Sequence, residues 1–313
     1  MKNNFVLKRA TQMIIILLGI SLFTFLLLHL APGDAVKSMY LANGIQPTQT
    51  LIDETREAMG LNEPFAVQYK NWLMGCLKGD LGTSYTLKKP VADLLMSRLM
   101  PTIKLAFFSM VLMLIVAIPA GMLAAVYKDK LIDHIIRACT FFGVSMPNFW
   151  VGLLLLYVIA LKWKILPVVS SGNGITKSIL PAITLAFAMS AKYTRQVRAT
   201  ILEELGQDYV VGARARGIKE HEILWKHVFP NSLLPLVTLL GLSLGSLLGG
   251  TAVVEVIFSY QGLGNLAVTA ITSMDYPLIQ GYVLWIALIY MVINLIVDMS
   301  YSRIDPRVRE RRG

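Results

Sequence analysis

Residues 208–235 read DYVVGARARGIKEHEILWKHVFPNSLLP, a polar interval between two apolar blocks, and its reading decides how the rest of the chain is understood. It gathers Arg214, Arg216, Lys219, Glu220, His221, Glu222, Lys226 and His227 in one short region, with Gly217 in the middle as a natural helix stop. The pattern predicts a helix, a turn at the glycine and a second helix. Ala213, Ala215 and Gly217 are small and predict a smooth strip that another protein could approach, with Arg214 and Arg216 as flanking grips. In a very apolar chain, such a region has the form of a docking surface.

Of the 313 residues, 55% are hydrophobic and 15% charged, far below the roughly 25% charged fraction of ordinary soluble proteins. The composition therefore predicts an all-α membrane protein that crosses the lipid bilayer several times. A net charge of +10 would suggest nucleic acid only on a soluble fold with a basic patch. Here it has a topological source, because Lys and Arg concentrate in segments on one side of the predicted spans. Lys2, Lys8 and Arg9 precede the first span, and Lys128, Lys130 and Arg137 lie around the start of the third. Residues 192–226 add seven and residues 303–312 five, so eighteen of twenty-nine fall on one side. That side is read as the cytoplasm, both termini are expected there, and no nucleic-acid partner is expected. The short 162–178 loop, with three lysines, runs against the trend.

Six spans follow from the apolar runs. Residues 1–10 form a cytoplasmic N-terminus and residues 11–31 the first span. A basic start and an apolar run also outline a signal peptide, but about 20 residues suffice to span and exceed a usual signal core. A retained helix is expected, ending where Pro32 and Gly33 stop it in the sequence HLAPGD. His29 is read as an interfacial residue, not a metal ligand. Residues 32–100 are too polar to span and predict a small outer cap, with one helix starting at Thr50 and another from Pro64 to Leu77. The second span, 101–127, is entered by Pro101 and carries Pro119 and Gly121, which permit a kink. The third covers 136–161. The fourth, 179–198, has only 13 apolar residues before Lys192, so Lys192, Arg195 and Arg198 snorkel or continue on a projecting helix. A cytoplasmic loop, 199–230, leads to the fifth span, 231–258, and the sixth is 278–300.

Polar groups inside spans are costly unless they face the bundle or a water-filled path. Ser145 and Asn148 flank Pro147, and two readings stand side by side: a wall of a translocation path, or a structural kink. Glu255, near the outer end of the fifth span, is a candidate for an outer gate or cation path and equally for a paired structural carboxylate. Asp275, between the fifth and sixth spans, joins them as a candidate gate residue. Gly241, Gly245 and Gly249 recur every four residues, so they share one helix face that lets another helix approach closely. That helix belongs either to this chain or to a second subunit.

Several segments resemble one family. The runs Asp208-Tyr209-Val210, Ala213-Arg214-Ala215-Arg216-Gly217 and Phe229-Pro230-Asn231 resemble the cytoplasmic "EAA" loop of binding-protein-dependent ABC importer permeases, in the peptide and nickel branch. The His29 to Asp34 ending, Asp80-Leu81-Gly82-Thr83-Ser84, Gly262-Leu263-Gly264, Asp275-Tyr276-Pro277 and Asp305-Pro306-Arg307-Val308-Arg309 extend the likeness over nearly the whole chain. Val211 stands where the general motif has glutamate, and Gln261 where many relatives have proline. The resemblance implies the type I ABC importer permease fold, with a core at residues 101–310. It implies that Asp208, Tyr209, Ala213, Arg214, Ala215, Arg216 and Gly217 couple to an ATPase, the helix before the glycine entering a groove on that partner. It further implies a second permease subunit, two ABC ATPase subunits that hold the ATP and magnesium, and an extracytoplasmic solute-binding protein, all at the bacterial cytoplasmic membrane.

The chemistry the sequence lacks agrees with a translocation subunit that is not itself an enzyme. No glycine is followed by lysine, so no P-loop GK[ST] is present. His221-Glu222 fails as HExxH because Trp225 occupies the place of the second histidine, and Gly241-Leu242-Ser243-Leu244-Gly245 sits in an apolar helix, not on the strand-to-helix turn a nucleophile needs. No bound cofactor or metal site is expected. The outer segment 40–103 and the short 162–178 loop look most like nickel-type permeases. Nickel import is thus the expected function, as a chelate because no ligand cluster is visible, with di- or oligopeptide import as the alternative. An ATP-independent secondary transporter or channel is the remaining class.

Overall fold

The computed structural model describes residues 2–167 and 176–304. These form helices, with an isolated antiparallel bridge between Thr83 and Pro90. Residues 168–175 of the 162–178 loop and the 305–309 ending lie outside the described residues. Three stretches are long and apolar enough to cross a bilayer: Thr11–Leu30 in helix α1 (Lys2–Leu30), helix α5 (Val91–Val126), and Tyr276–Val297 in helix α14 (Tyr276–Ile304). Two bent pairs pass the same test, Leu131–Ser145 with Asn148–Lys162 and Glu220–Leu233 with Pro235–Gly245, giving up to five spans by length and composition. The expected fourth span falls in α8 (Thr176–Leu205), a helix of 30 residues and so about 45 Å. Its cationic second half leaves it short of that test, although the helix itself is continuous. The basic residues therefore do continue on a helix.

The chain divides into two compact units, Met1–Thr102 with Gln261–Val292, and Ile103–Tyr260 with Ile293–Gly313. The first contains the expected cap. Asp34 caps α2 (Ala35–Ala42) by accepting from the N–H groups of Val36 at 3.0 Å and Lys37 at 3.3 Å, and pairs with Arg56 of α3 (Gln49–Ala58) at 3.0 Å. The cap of α3 is Thr48, not Thr50, its hydroxyl accepting from Leu51 N–H at 3.4 Å. Helix α4 (Phe65–Leu77) is fixed to α1 by aromatic edges: Phe25 meets Phe65 at 5.3 Å and Tyr69 at 5.4 Å. His29 lies edge-on against Phe65 at 5.4 Å, a packing role.

Helix α5 starts at Val91, well before the predicted 101, so Pro101 sits inside it. The cause is tertiary. Val91, Leu94 and Leu95, spaced i, i+3, i+4, bury against Leu263, Leu266 and Ala270 of α13 (Leu263–Thr272) and against Leu278. Those partners lie far along the chain.

In the second unit α8 is the common partner. Helix α6 (Leu131–Ser145) packs along it, as do α7 (Asn148–Leu155) and α11 (Phe229–Gly250). Glycines permit the approach on two sides. A Cβ on Gly121 of α5 would lie 2.6 Å from the Val197 Cβ and 2.8 Å from the Thr194 carbonyl oxygen, and one on Gly143 of α6 would lie 2.7 Å from the Ala191 Cβ.

The third span breaks at the proline. Met146 and Pro147 are extended, and the helices on either side meet at 99°. The fifth span is also interrupted: α11 ends at Gly250, and a short α12 (Ala252–Ile257) follows Thr251. Gly241 makes its close approach within the chain, since a Cβ there would lie 2.1 Å from Val297 Cγ2 of α14. Gly245 is buried, and the packing of Gly249 lies outside the described residues.

Candidate functional site

The polar interval folds as a helix, a turn and a second helix. Helix α8 ends at Leu205, a turn at Gly206 and Gln207 reverses the chain, and α9 (Asp208–Ala215) begins with an acid that suits its positive end. Gly217 takes φ +74°, its N–H donating to Arg214 O at 2.9 Å, and Ile218 N–H donates to Ala213 O at 3.2 Å. These two bonds form a Schellman stop, and Ile218 completes it by packing on the core below. A short α10 (Glu220–Ile223) then passes through a π-helical turn, Leu224–Val228, into α11 without a break.

One face of α9 is anchored. Val210 and Ala213 bury with Met122, Val197, Ile201 and Ile223, which ties the helix to α5, α8 and α10. This corrects the small-residue strip: Ala213, 2% exposed, faces the chain's own core, because i, i+3 spacing places it beneath Val210. The opposite face presents Tyr209, Val211, Gly212, Ala215 and Arg216 to solvent, with Val211 58% exposed. Arg214 is not a free grip. Its Nε and Nη2 donate to the two carboxylate oxygens of Glu220 at 2.7 and 3.1 Å, bracing α9 against α10 across the turn. Tyr209 donates to Glu204 at 2.7 Å, a third tie to α8.

A buried ion pair that sequence reasoning missed holds the base of this assembly. Asp133 of α6 has 0% side-chain exposure and accepts from Arg198 Nε and Nη2, both at 2.7 Å, and from the Asp129 N–H at 3.0 Å. It clamps α6 to α8 within two turns of the loop. The partners stand 65 positions apart, and no local pattern joins them.

The candidate gate residues separate into different roles. Asp275 is fully buried and accepts from Ser84 Oγ at 2.6 Å, from Thr86 N–H at 2.9 Å and from Leu278 N–H at 3.3 Å. It caps α14 and fastens the 84–86 turn of the first unit. Beside it, burial and the Asp275 charge push the Tyr85 hydroxyl up to about 12. Glu255, expected at an exposed edge, is 0% exposed and accepts from Thr251 Oγ1 at 2.9 Å, which favours the paired structural carboxylate. Ser145 donates to Phe141 O at 2.9 Å and closes its own helix end. Asn148 lines a cavity of about 150 Å³ together with Leu185, Met189, Lys192, Tyr193, Ser243 and Leu247.

Comparison with known proteins agrees with this architecture. Residues 117–310 match the family described as binding-protein-dependent transport system inner membrane component, and residues 2–106 match the N-terminal region of the same membrane components. The chain belongs to that family. The permease is 37% identical over 306 residues to the glutathione transport system permease protein GsiC of Escherichia coli K12, covering 98% of this chain and 99% of that one. It is 33% identical over 334 residues to the probable D,D-dipeptide transport system permease protein DdpB of the same strain, covering 98% and 97%. An inward-facing structure of the MetNI methionine ABC transporter shares the fold, with a TM-score of 0.54 at 18% identity over 68% of this chain and 96% of that one. The fold is thus that of type I ABC importer permeases, and the polar interval 208–235 and the α6–α8 clamp both fall inside the 117–310 match.

Proposed function

We propose that the permease is one of two membrane subunits of an ATP-driven importer that carries short peptides inward across the bacterial cytoplasmic membrane. The observation that carries this reading is the near full-length identity to a glutathione permease, joined by that to a probable dipeptide permease. Glutathione is itself a tripeptide, so both names point to one substrate class. A nickel chelate is the weaker reading, because these relatives are named for peptide-type cargo. Reconstituted with its partner subunits and binding protein, the permease is expected to accumulate labelled glutathione or dialanine in an ATP-dependent manner and to leave a nickel–histidine chelate outside. Accumulation of the chelate alone would reverse the assignment.

In this mechanism ATP and magnesium stay on two partner ATPases, a solute-binding protein delivers cargo to the outer cap, and both termini are cytoplasmic. The exposed face of α9, around Tyr209, Val211, Ala215 and Arg216, enters the ATPase groove. Asp208 at the helix start, the buried Ala213, the Arg214 brace and the Gly217 stop keep that face rigid. Closure of the ATPases moves α9 as a body, and its packing on α5, α8 and α11 transmits the displacement as a two-state tilt.

Gly217 offers a clean test. A Cβ there meets nothing within 4 Å, so substitution strains only the left-handed backbone, by about 1–2 kcal/mol. Gly217→Val is expected to accumulate in the membrane at wild-type level while peptide uptake and stimulated ATP hydrolysis both fall severalfold. Uptake at the wild-type rate would remove the loop from the coupling path.

A further inference from the structure

We propose that Lys192 is an anion-recognition residue of the translocation path and receives the free α-carboxylate of a peptide in transit; this rests on the peptide reading above. Four observations meet at one place in the second unit. Lys192 lies within the predicted fourth span, and the 150 Å³ cavity it lines is built from α7, α8 and α11. Among the described residues no carboxylate pairs with it, whereas Arg198, six positions further along α8, is neutralised by Asp133. Lys192 is itself exposed, so its ammonium, which has no counter-ion and lines this cavity, can meet the charge of a ligand. The cavity wall is also polar where it should be for a carboxylate. Asn148 enters at the first residue of α7, placed there by the 99° break, and Tyr193 and Ser243 form a hydroxyl pair whose tyrosine donates to Leu239 O at 2.6 Å.

The bland alternative, a lysine snorkelling along its helix toward water, needs neither the cavity nor the amide opposite. The remaining lining residues, Leu185, Met189 and Leu247, are apolar and lower the local dielectric, which strengthens a charge–charge contact with a passing ligand. The volume accommodates the end of a peptide, not the whole of it. The site therefore reads a terminus common to all short peptides and leaves side-chain identity unread, as a carrier of mixed cargo requires.

The test compares dialanine with its C-terminal amide as labelled cargo in proteoliposomes holding the complete importer. The uptake ratio of acid to amide cancels expression and folding, and its comparison with the wild-type ratio cancels the preference of the shared binding protein. Lys192→Arg is expected to keep the wild-type ratio. Lys192→Glu is expected to lower it by about tenfold, the loss of one charge-assisted contact and its replacement by a repulsive one. A ratio unchanged in Lys192→Glu, with dialanine still transported by the wild type, would overturn the site alone. Transport of neither cargo by the wild type would overturn the peptide reading and the site with it.

Discussion

Replacing Asp133 with alanine is expected to destabilise the purified permease by about 3 kcal/mol, because removing one member of a buried pair strands the other. The range for such a truncation is about 3–5 kcal/mol, and the lower end applies because the Arg198 side chain keeps 20% of its exposure and recovers some hydration. The Asp129 N–H also loses its acceptor. A double-mutant cycle separates these contributions. Asp133→Ala combined with Arg198→Met should recover part of the loss, since the uncharged pair leaves no stranded charge although alanine leaves a small void. Thermal unfolding midpoints in detergent measure all three variants. A single mutant that melts with the wild type would show that the pair contributes nothing to the α6–α8 contact.

Gly121→Leu is expected to be the most damaging single change in the second unit. Its Cβ alone would sit 2.6 Å from Val197 and 2.8 Å from the Thr194 carbonyl oxygen, and a backbone atom has no alternative rotamer to move into. The two helices must separate, at or beyond the upper end of the about 1–3 kcal/mol typical of overpacking. Separation also opens the core in which Met122 and Val197 meet Val210 and Ala213, so α9 loses its seat. Membrane accumulation should fall severalfold, and transport per remaining molecule should fall further. Gly212→Ala is the control. It lies on the exposed face of α9 with nothing within 4 Å of a Cβ, and it should raise stability slightly through helix propensity. If Gly121→Leu accumulates as well as Gly212→Ala, the α5–α8 contact is not limiting for folding.

The features that were legible in the sequence are those whose causes are local. Gly217 announces a left-handed stop because few other residues adopt that geometry, and Pro147 beside Met146 announces an interruption. The docking loop was recognisable for the same reason: its charges and its glycine are adjacent in the chain. What escaped depends on partners distant in sequence. Residues 91–100 gave no span signal, yet they are helical because α13 offers them an apolar face. Asp275 looked like a gate residue until Ser84, 191 positions away, was seen to donate to it. Ala213 looked available to a partner because smallness was read without direction, and only the packing of α9 shows which way its methyl points. The 99° turn had the same limit. A proline predicts that a helix stops, but the angle at which the next one leaves is set by what both halves pack against.

Helix α8 carries one consequence that concerns distance. Its 30 residues reach about 45 Å, whereas the hydrocarbon layer is about 30 Å thick, so with α8 as the proposed fourth span up to about 15 Å of continuous helix would stand beyond the lipid tails. In the proposed mechanism α9 therefore rides on a stalk, and the stalk fixes both its height above the bilayer and its azimuth around the helix axis. Each residue inserted or deleted there would shift the platform by about 1.5 Å and swing it by about 100°. The length of this segment is thereby constrained as tightly as its composition, because a partner groove engages only a helix presented at the right height and heading.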